Sequence, residues 1–111
     1  MKFKVITLCG STKFKEAFMR VQQELTLQGN VVISVGVFGH ADAIVMPGSV
    51  KEMLDNIHKQ KIDMSDEIFV INKGDYIGSS TMNEIGYAMS KGKSIRFLEE
   101  NTYRHDISEF L

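Results

Sequence analysis

The chain of 111 residues has the length of one compact domain with a single sizeable core, and it is too short for two such domains. Apolar residues make up 43% and charged residues 24%, which is ordinary for a soluble globular protein. The formal net charge of −1 excludes a broad electrostatic attraction to nucleic acid or to an anionic membrane, so a small molecule is the better-suited partner.

A strand, a helix and a second strand are predicted at the start of the chain. The segment Phe3–Cys9 predicts the first strand, and the Gly10–Thr12 segment after it offers a flexible residue and two hydroxyl groups suited to cap a helix. The helix has one apolar face, formed by Phe14, Phe18, Val21 and Leu25. Gly29 ends it, and the β-branched run Val31–Val35 is typical of a central parallel strand covered on both faces.

A long loop separates this strand from the second helix. Residues Gly36–Gly48 show no periodic pattern and include the only proline, and loops of about 12 residues in a small domain are usually functional or mobile. Ser49 is a candidate cap for a helix that continues toward Met64. The apolar residues within Glu67–Ile71 then predict a buried strand.

The last part of the chain adds a loop, a helix and a strand. A Gly/Ser segment from Gly74 leads into a helix from Thr81 to about Lys91, Ser94–Leu98 predicts the last strand, and the tail Glu99–Leu111 is polar and weakly patterned. Four strands thus alternate with three helices. We expect one α/β domain over residues 1–111, a three-layer flavodoxin-like fold with a parallel sheet in the order 2-1-3-4 and helices on both faces. The loops after the first three strands should then meet at the edge where such sheets bind ligands.

The apolar segments bear on the location of the protein, and the cysteine and histidine residues bear on its cofactors. The longest apolar run, Val31–Phe38, is far shorter than a membrane span, and the N-terminus enters a strand pattern without an apolar signal segment, so we expect a cytoplasmic protein with no membrane partner. The only cysteine, Cys9, excludes an internal disulfide. His40, His58 and His105 are scattered along the chain, and we expect neither a metal nor another cofactor.

Glu84 admits two interpretations. The segment Thr81–Glu84 fits the capping box S/T-x-x-E, in which the glutamate only satisfies backbone N–H groups at the start of a helix. Alternatively, the helix N-terminus holds the carboxylate ionised beside a sugar or phosphate, where it attacks an electrophilic carbon as a covalent nucleophile. Spacing alone favours the capping role.

Two segments at strand ends are candidate phosphate sites. Gly78, Ser79 and Ser80 offer small residues with free N–H groups at a helix start, although neither a Walker lysine nor the fingerprint G-x-G-x-x-G is present. A second such start is formed by Gly10, Ser11, Thr12 and Lys13, with a cation suited to a 5′-phosphate. A tight turn and an exposed lysine explain the same residues equally well.

Cys9 and His58 have ordinary roles as well as catalytic ones. Cys9 has no evident His or Asp partner nearby in the sequence, so we interpret it as a small buried apolar residue. His58 is expected to be a surface or half-buried side chain, yet an imidazole is also able to donate a proton near neutral pH.

Three segments together resemble a known family. They are Cys9–Ser11 after the first strand, Asn83–Ala88 on the last helix, and Gly92–Lys93 after that helix. Over about residues 3–98 the chain resembles the nucleoside 2-deoxyribosyltransferase superfamily, which includes the 2′-deoxynucleoside 5′-phosphate N-hydrolases. The likeness is to short bacterial and phage-type members.

The resemblance implies roles for individual residues. Glu84 would be the nucleophile that attacks C1′ of a deoxyribose, and another base or water would resolve the covalent intermediate. The resemblance also implies two segments that hold the phosphate. The first consists of Gly10, Ser11 and Lys13, and the second of Gly78, Ser79 and Ser80. Lys13 stands where the nucleotide hydrolases carry an arginine. We also assign Cys9 to the substrate-binding residues, because it directly precedes the first of these segments.

One position departs from the family pattern. The family places an aspartate in the second helix as proton donor to the leaving base, and His58 stands there instead. Either His58 takes the acid role, or Asp55 or Asp63 does, or glycosidic cleavage has been lost. We assign base contacts to the Gly36–Pro47 loop, with Gly39 and His40 as substrate-binding residues. The family also implies a homodimer or larger homo-oligomer.

Three functions remain open at this point. The first is cleavage or transfer of the N-glycosidic bond of a 2′-deoxynucleoside or its 5′-monophosphate through Glu84. The second is a non-catalytic nucleotide-binding or sensing module that uses the same crevice. The third is a phosphoribohydrolase that acts on ribonucleoside 5′-monophosphates.

Overall fold

Strands and α-helices alternate along the chain in the computed structural model, which describes residues 2–99. The strands are β1 (Val5–Gly10), β2 (Val31–Ile33), β3 (Glu67–Ile71) and β4 (Ser94–Phe97). The helices are α1 (Lys15–Leu27), α2 (Gly48–Asp63) and α3 (Ser79–Ser90), with a short 3-10 turn at Lys73–Asp75. Except for Glu99, the tail predicted over Glu99–Leu111 lies outside the described residues.

The four strands form one parallel sheet in the order β2-β1-β3-β4, which confirms the predicted fold and strand order. The longest pairing joins β1 to β3, from Ile6 opposite Glu67 to Gly10 opposite Ile71. The chain passes from one side of β1 to the other after β2. Such a reversal opens a crevice at the carboxyl ends of the strands.

Both faces of the sheet are covered, because neighbouring residues of a strand point to opposite sides. On one face Ile6 and Leu8 of β1 pack in a buried cluster with Phe18 of α1. On the other face Cys9 of β1 packs in a second cluster, with Ile62 of α2 and with Ile85 and Ala88 of α3. The predicted helices on both faces are therefore confirmed.

The expectation that Val31–Val35 forms a central covered strand is wrong. Only Val31–Ile33 are paired, β2 lies at an edge of the sheet, and Val31 is 46% exposed. β-branched composition predicts an extended backbone, but it does not reveal how many neighbours a strand has. Val35 leaves the sheet and lines a cavity instead.

The helices begin without the hydroxyl caps that the sequence predicted. Phe14, Pro47 and Gly78 precede α1, α2 and α3, and among the described residues no side chain makes a capping hydrogen bond at these three positions. The Thr12 hydroxyl instead accepts a hydrogen bond from the backbone N–H of His40 at 3.2 Å. α3 starts at Ser79, two residues before the predicted start at Thr81.

Within residues 2–99, the structure has no helix with the length and apolar character that crossing a bilayer requires.

We predict opposite effects on stability for two glycine substitutions. A Cβ on Gly10, whose φ is +152°, would lie 2.9 Å from the Ile71 carbonyl oxygen, so Gly10→Ala should lower the free energy of unfolding by about 2–3 kcal/mol. A Cβ on Gly86 of α3 meets nothing within 4 Å, so Gly86→Ala should raise it by about 0.5–1 kcal/mol. Urea denaturation of both variants checks this. Equal effects would contradict the close approach of β1 and β3.

Candidate functional site

A cavity of about 420 Å³ lies at the carboxyl edge of the sheet. The segments after β1 and β2 and the start of α3 all contribute to its wall, as the topology predicts for this edge. The inner face of α2 closes the remaining side. The wall is mixed: polar groups lie on α2 and α3, while apolar side chains come mainly from the segment between β2 and α2, among them Val35, Val37, Ile44 and Met46.

Glu84 lies in the second turn of α3 and its side chain is 21% exposed, facing the cavity. Because the helix begins at Ser79, Thr81 already lies inside it and is not the residue that precedes the helix. The capping-box interpretation of Glu84 is therefore wrong. Its carboxylate instead lies 3.5 Å from Nε2 of His58.

His58 connects Glu84 to Cys9. The same Nε2 atom lies 3.3 Å from Sγ of Cys9, at the end of β1, and His58 is only 7% exposed. Both the expected surface or half-buried position of His58 and the expected lack of a histidine partner for Cys9 are wrong. The two residues are 49 positions apart, so only the packing of α2 against the sheet brings them together.

Cys9 is buried, as predicted, with 0% of its surface exposed. It lies behind the cavity wall and is not part of the lining, so its predicted role in substrate binding is not supported. A thiol that a substrate cannot touch is also not a nucleophile. Cys9 adjoins the site through His58, whose Nε2 lies 3.3 Å from its sulfur.

Burial makes all three groups uncharged at neutral pH. It lowers the pKa of His58 to about 4, raises the pKa of Glu84 to about 8, and raises the pKa of the Cys9 thiol well above its ordinary value. The Asp55 carboxylate adds to the rise in the pKa of Glu84, whereas Lys51 opposes it. The expectation that the helix N-terminus holds Glu84 ionised is wrong, because lost solvation outweighs a helix dipole that fades beyond the first turn.

The inner face of α2 supplies polar residues at helical spacing. Lys51, Asp55 and His58 line the cavity together with Leu54, at intervals of three and four residues. Lys51 and Asp55 form an ion pair at 3.6 Å. Lys51 was missed from the sequence as a site residue, although its spacing from His58 on one helix face was a usable signal.

Asp63, the other aspartate considered as a proton donor, lies elsewhere. Its carboxylate accepts a hydrogen bond from the Tyr87 hydroxyl at 2.7 Å, and it does not line the cavity. Of the three acid candidates, His58 and Asp55 are therefore in reach of a molecule in the cavity, whereas Asp63 is not.

The two predicted phosphate segments both reach the cavity. Gly10 and Ser11 lie in its wall, as do Gly78, Ser79 and Ser80 at the start of α3. Lys13 does not: its Nζ lies 3.6 Å from the ring centroid of Tyr76, in a cation–π contact, and only Tyr76 belongs to the wall. Lys13 therefore lies behind Tyr76 and outside the wall, and its contact with a phosphate stays a prediction.

The loop between β2 and α2 is held against the rest of the site by a hydrogen bond and an ion pair. Gly39 and His40 line the cavity, as expected for a loop that contacts the ligand. Besides the bond from His40 to Thr12, an ion pair of 2.9 Å joins Lys15 of α1 to Asp42 of the loop. The terminal methyl of Met46 lies 2.8 Å from where a Cβ on Gly39 would stand, so this glycine leaves room for Met46 in the wall.

Comparison of the sequence with protein-family models and with curated proteins gave no match. The resemblance carried by Cys9–Ser11 and Asn83–Ala88 therefore stays a prediction. The function has to be inferred from the chemistry of the cavity.

We predict that the free energy of unfolding falls by about 1.5 kcal/mol between pH 6.5 and 8. In this range the native state holds a proton on Glu84, whose pKa rises from 4.5 to about 8 on folding, while the unfolded state does not. The lowered pKa of His58 acts in the opposite direction mainly below its ordinary pKa of 6.5, and between pH 6.5 and 8 it offsets only about 0.4 kcal/mol of the fall. Urea denaturation at both pH values measures the fall.

The matched variants for this measurement are Glu84→Gln and Glu52→Gln, the latter an exposed carboxylate on α2. The fall should disappear in Glu84→Gln and persist in Glu52→Gln. An unchanged fall in both variants would mean that Glu84 is ionised in the native protein at neutral pH.

Proposed function

We propose that this cavity cleaves or transfers the N-glycosidic bond of a 2′-deoxynucleoside or its 5′-monophosphate through a covalent bond between Glu84 and C1′ of the sugar. The observation that carries the proposal is the position of Glu84. Its carboxyl group makes no cap, faces the cavity, and lies 3.5 Å from the imidazole of His58, which is almost fully buried. The resemblance of Asn83–Ala88 to the deoxyribosyltransferase motif supports the same role.

The size and composition of the cavity suit a nucleotide. Its volume of about 420 Å³ falls in the range of small-molecule sites. Backbone N–H groups at the start of α3 and in the loop after β1 are suited to bind a 5′-phosphate, because a helix N-terminus attracts anions. Ile44, Met46 and Leu54 in the wall offer apolar surface to a planar base.

The chemistry needs a carboxylate and a proton donor. The Glu84 carboxylate attacks C1′ and forms an ester with it, while the bond from C1′ to the base nitrogen breaks. The electron pair of the broken bond stays on the base, which takes up a proton. A second base or water then attacks C1′ and gives up its proton to the group that protonated the first base, and the ester bond breaks to return the carboxylate. Transfer of the proton from Glu84 to Nε2 of His58 would create the nucleophile and an acid in one step; Asp55 is the other acid in reach.

A second candidate is a nucleotide-binding or sensing module without catalysis. The uncharged state of Glu84 at neutral pH favours it, since an unionised carboxyl group is a poor nucleophile. His58 in place of the aspartate of the resembled family favours it too. This module would bind the nucleotide in the same cavity without releasing a base.

We expect the protein to release free base from at least one member of a panel of deoxynucleosides and their 5′-monophosphates, and Glu84→Gln to slow release by about 10³-fold or more. Chromatography with and without a second acceptor base separates transfer from hydrolysis. Ribonucleoside 5′-monophosphates in the panel test the phosphoribohydrolase alternative. Glu52→Gln is the control that should keep full activity.

Two outcomes would contradict this proposal. Full activity in a folded Glu84→Gln protein would exclude the covalent mechanism. Binding detected by calorimetry with no turnover on the whole panel would favour the binding module.

The proton donor is tested by substitution on α2. If His58 protonates the base, His58→Gln should lower kcat by about 10²-fold, whereas Asp63→Asn should have no effect because Asp63 lies outside the cavity wall. Steady-state rates of base release measure both. A larger loss in Asp55→Asn than in His58→Gln would assign the acid role to Asp55.

Three further expectations belong to this proposal. They are a cytoplasmic location, a small-molecule nucleoside or nucleotide as the partner, and assembly into a homodimer or larger homo-oligomer. Size-exclusion chromatography with light scattering tests the assembly.

A further inference from the structure

Three potential metal-ligating atoms from three different elements converge beside the cavity. They are Sγ of Cys9 on β1, Nε2 of His58 on α2 and a carboxylate oxygen of Glu84 on α3, and all lie within 4.8 Å of one another. Nε2 lies 3.3 Å from the sulfur and 3.5 Å from the carboxylate oxygen. No spacing in the sequence predicted this set of ligands, because its members are far apart in the chain.

Two of the three separations match those around a tetrahedral ion. Zinc binds thiolate sulfur at about 2.3 Å and imidazole nitrogen or carboxylate oxygen at about 2.0 Å, which puts neighbouring ligand atoms roughly 3.3–3.6 Å apart. The two distances to Nε2 are in this range. The Cys9 sulfur and the Glu84 carboxylate oxygen lie within 4.8 Å of each other, and this pair would have to approach more closely when an ion binds.

The chemistry of the three donors selects the kind of ion. Thiolate and imidazole favour zinc and similar ions over Mg²⁺ or Ca²⁺, which prefer oxygen ligands. Binding would release the thiol proton of Cys9 and the carboxyl proton of Glu84, so two negative charges would balance the two positive charges of the ion. A neutral complex avoids the cost of placing a net charge among buried groups.

We propose that Cys9, His58 and Glu84 form a site for Zn²⁺ or a chemically similar divalent ion, with the fourth position open to the cavity. The buried sulfur closes the site on the side of the sheet, and the exposed part of Glu84 leaves the opposite side open to water. The ion and a deoxyribose would both need the carboxylate of Glu84. Bound metal therefore excludes the glycosyl chemistry proposed above and would inhibit it.

The test uses Co²⁺ as a spectroscopic probe and needs no substrate. Addition of Co²⁺ to the metal-free protein should give one bound ion, the intense visible bands of a four-coordinate site, and a near-ultraviolet band from thiolate-to-metal charge transfer. Zn²⁺ should then displace the cobalt. Because base release is not measured, the result is independent of whether the proposed enzymatic function is right.

Matched variants assign the ligands. Cys9→Ser should remove the charge-transfer band, and His58→Gln and Glu84→Gln should each weaken binding on the order of 10²-fold. His40→Ala, which removes an exposed imidazole from the same cavity, should leave the spectrum unchanged. Three variants are used because Cys9→Ser places a hydroxyl among buried apolar groups and risks unfolding. Absence of bound Co²⁺ in the folded protein, or a spectrum that survives all three substitutions, would overturn the proposal.

Discussion

The pairing of β1 with β3 is the contact on which the other features of this protein depend. Five consecutive residue pairs join the two strands, and both strands are covered on each face by helices. Their close approach at the carboxyl end requires a residue without a side chain at Gly10. Because the chain continues to opposite sides of this pair, α1 packs on one face and α2 and α3 on the other, and the crevice between the loops becomes the cavity.

Loss of solvation determines the character of the site more than any single charge does. Cys9, His58 and Glu84 lie within 4.8 Å of one another, and burial shifts the pKa of each toward its uncharged form. Such a cluster is able to exchange protons, because a molecule or ion that brings charge into the cavity changes which protonation state of each group is favoured. The proposed catalysis through Glu84 and the proposed metal binding would be two uses of this one property, and each would exclude the other.

The fold was accessible to sequence reasoning because its signals are local. Apolar runs such as Glu67–Ile71 and the helical spacing in α1 repeat over short distances, and alternating strands and helices admit few topologies. The site was only partly accessible. The loops at Gly10, Gly39 and Gly78 were placed at one edge by topology, whereas the contact of Cys9 with His58 depends on how α2 packs across the sheet.

The sequence by itself determined the α/β class, the parallel order 2-1-3-4 and the edge at which the site lies, because periodicity and chain connectivity are sufficient for these. Tertiary structure decided where the Glu84 carboxyl group lies. Thr81–Glu84 satisfies the capping pattern as a string of residues, but α3 begins at Ser79, and the glutamate is turned toward a buried imidazole. A helix start is set by the packing of the residues around it as well as by its own composition, and burial is a property of the whole fold.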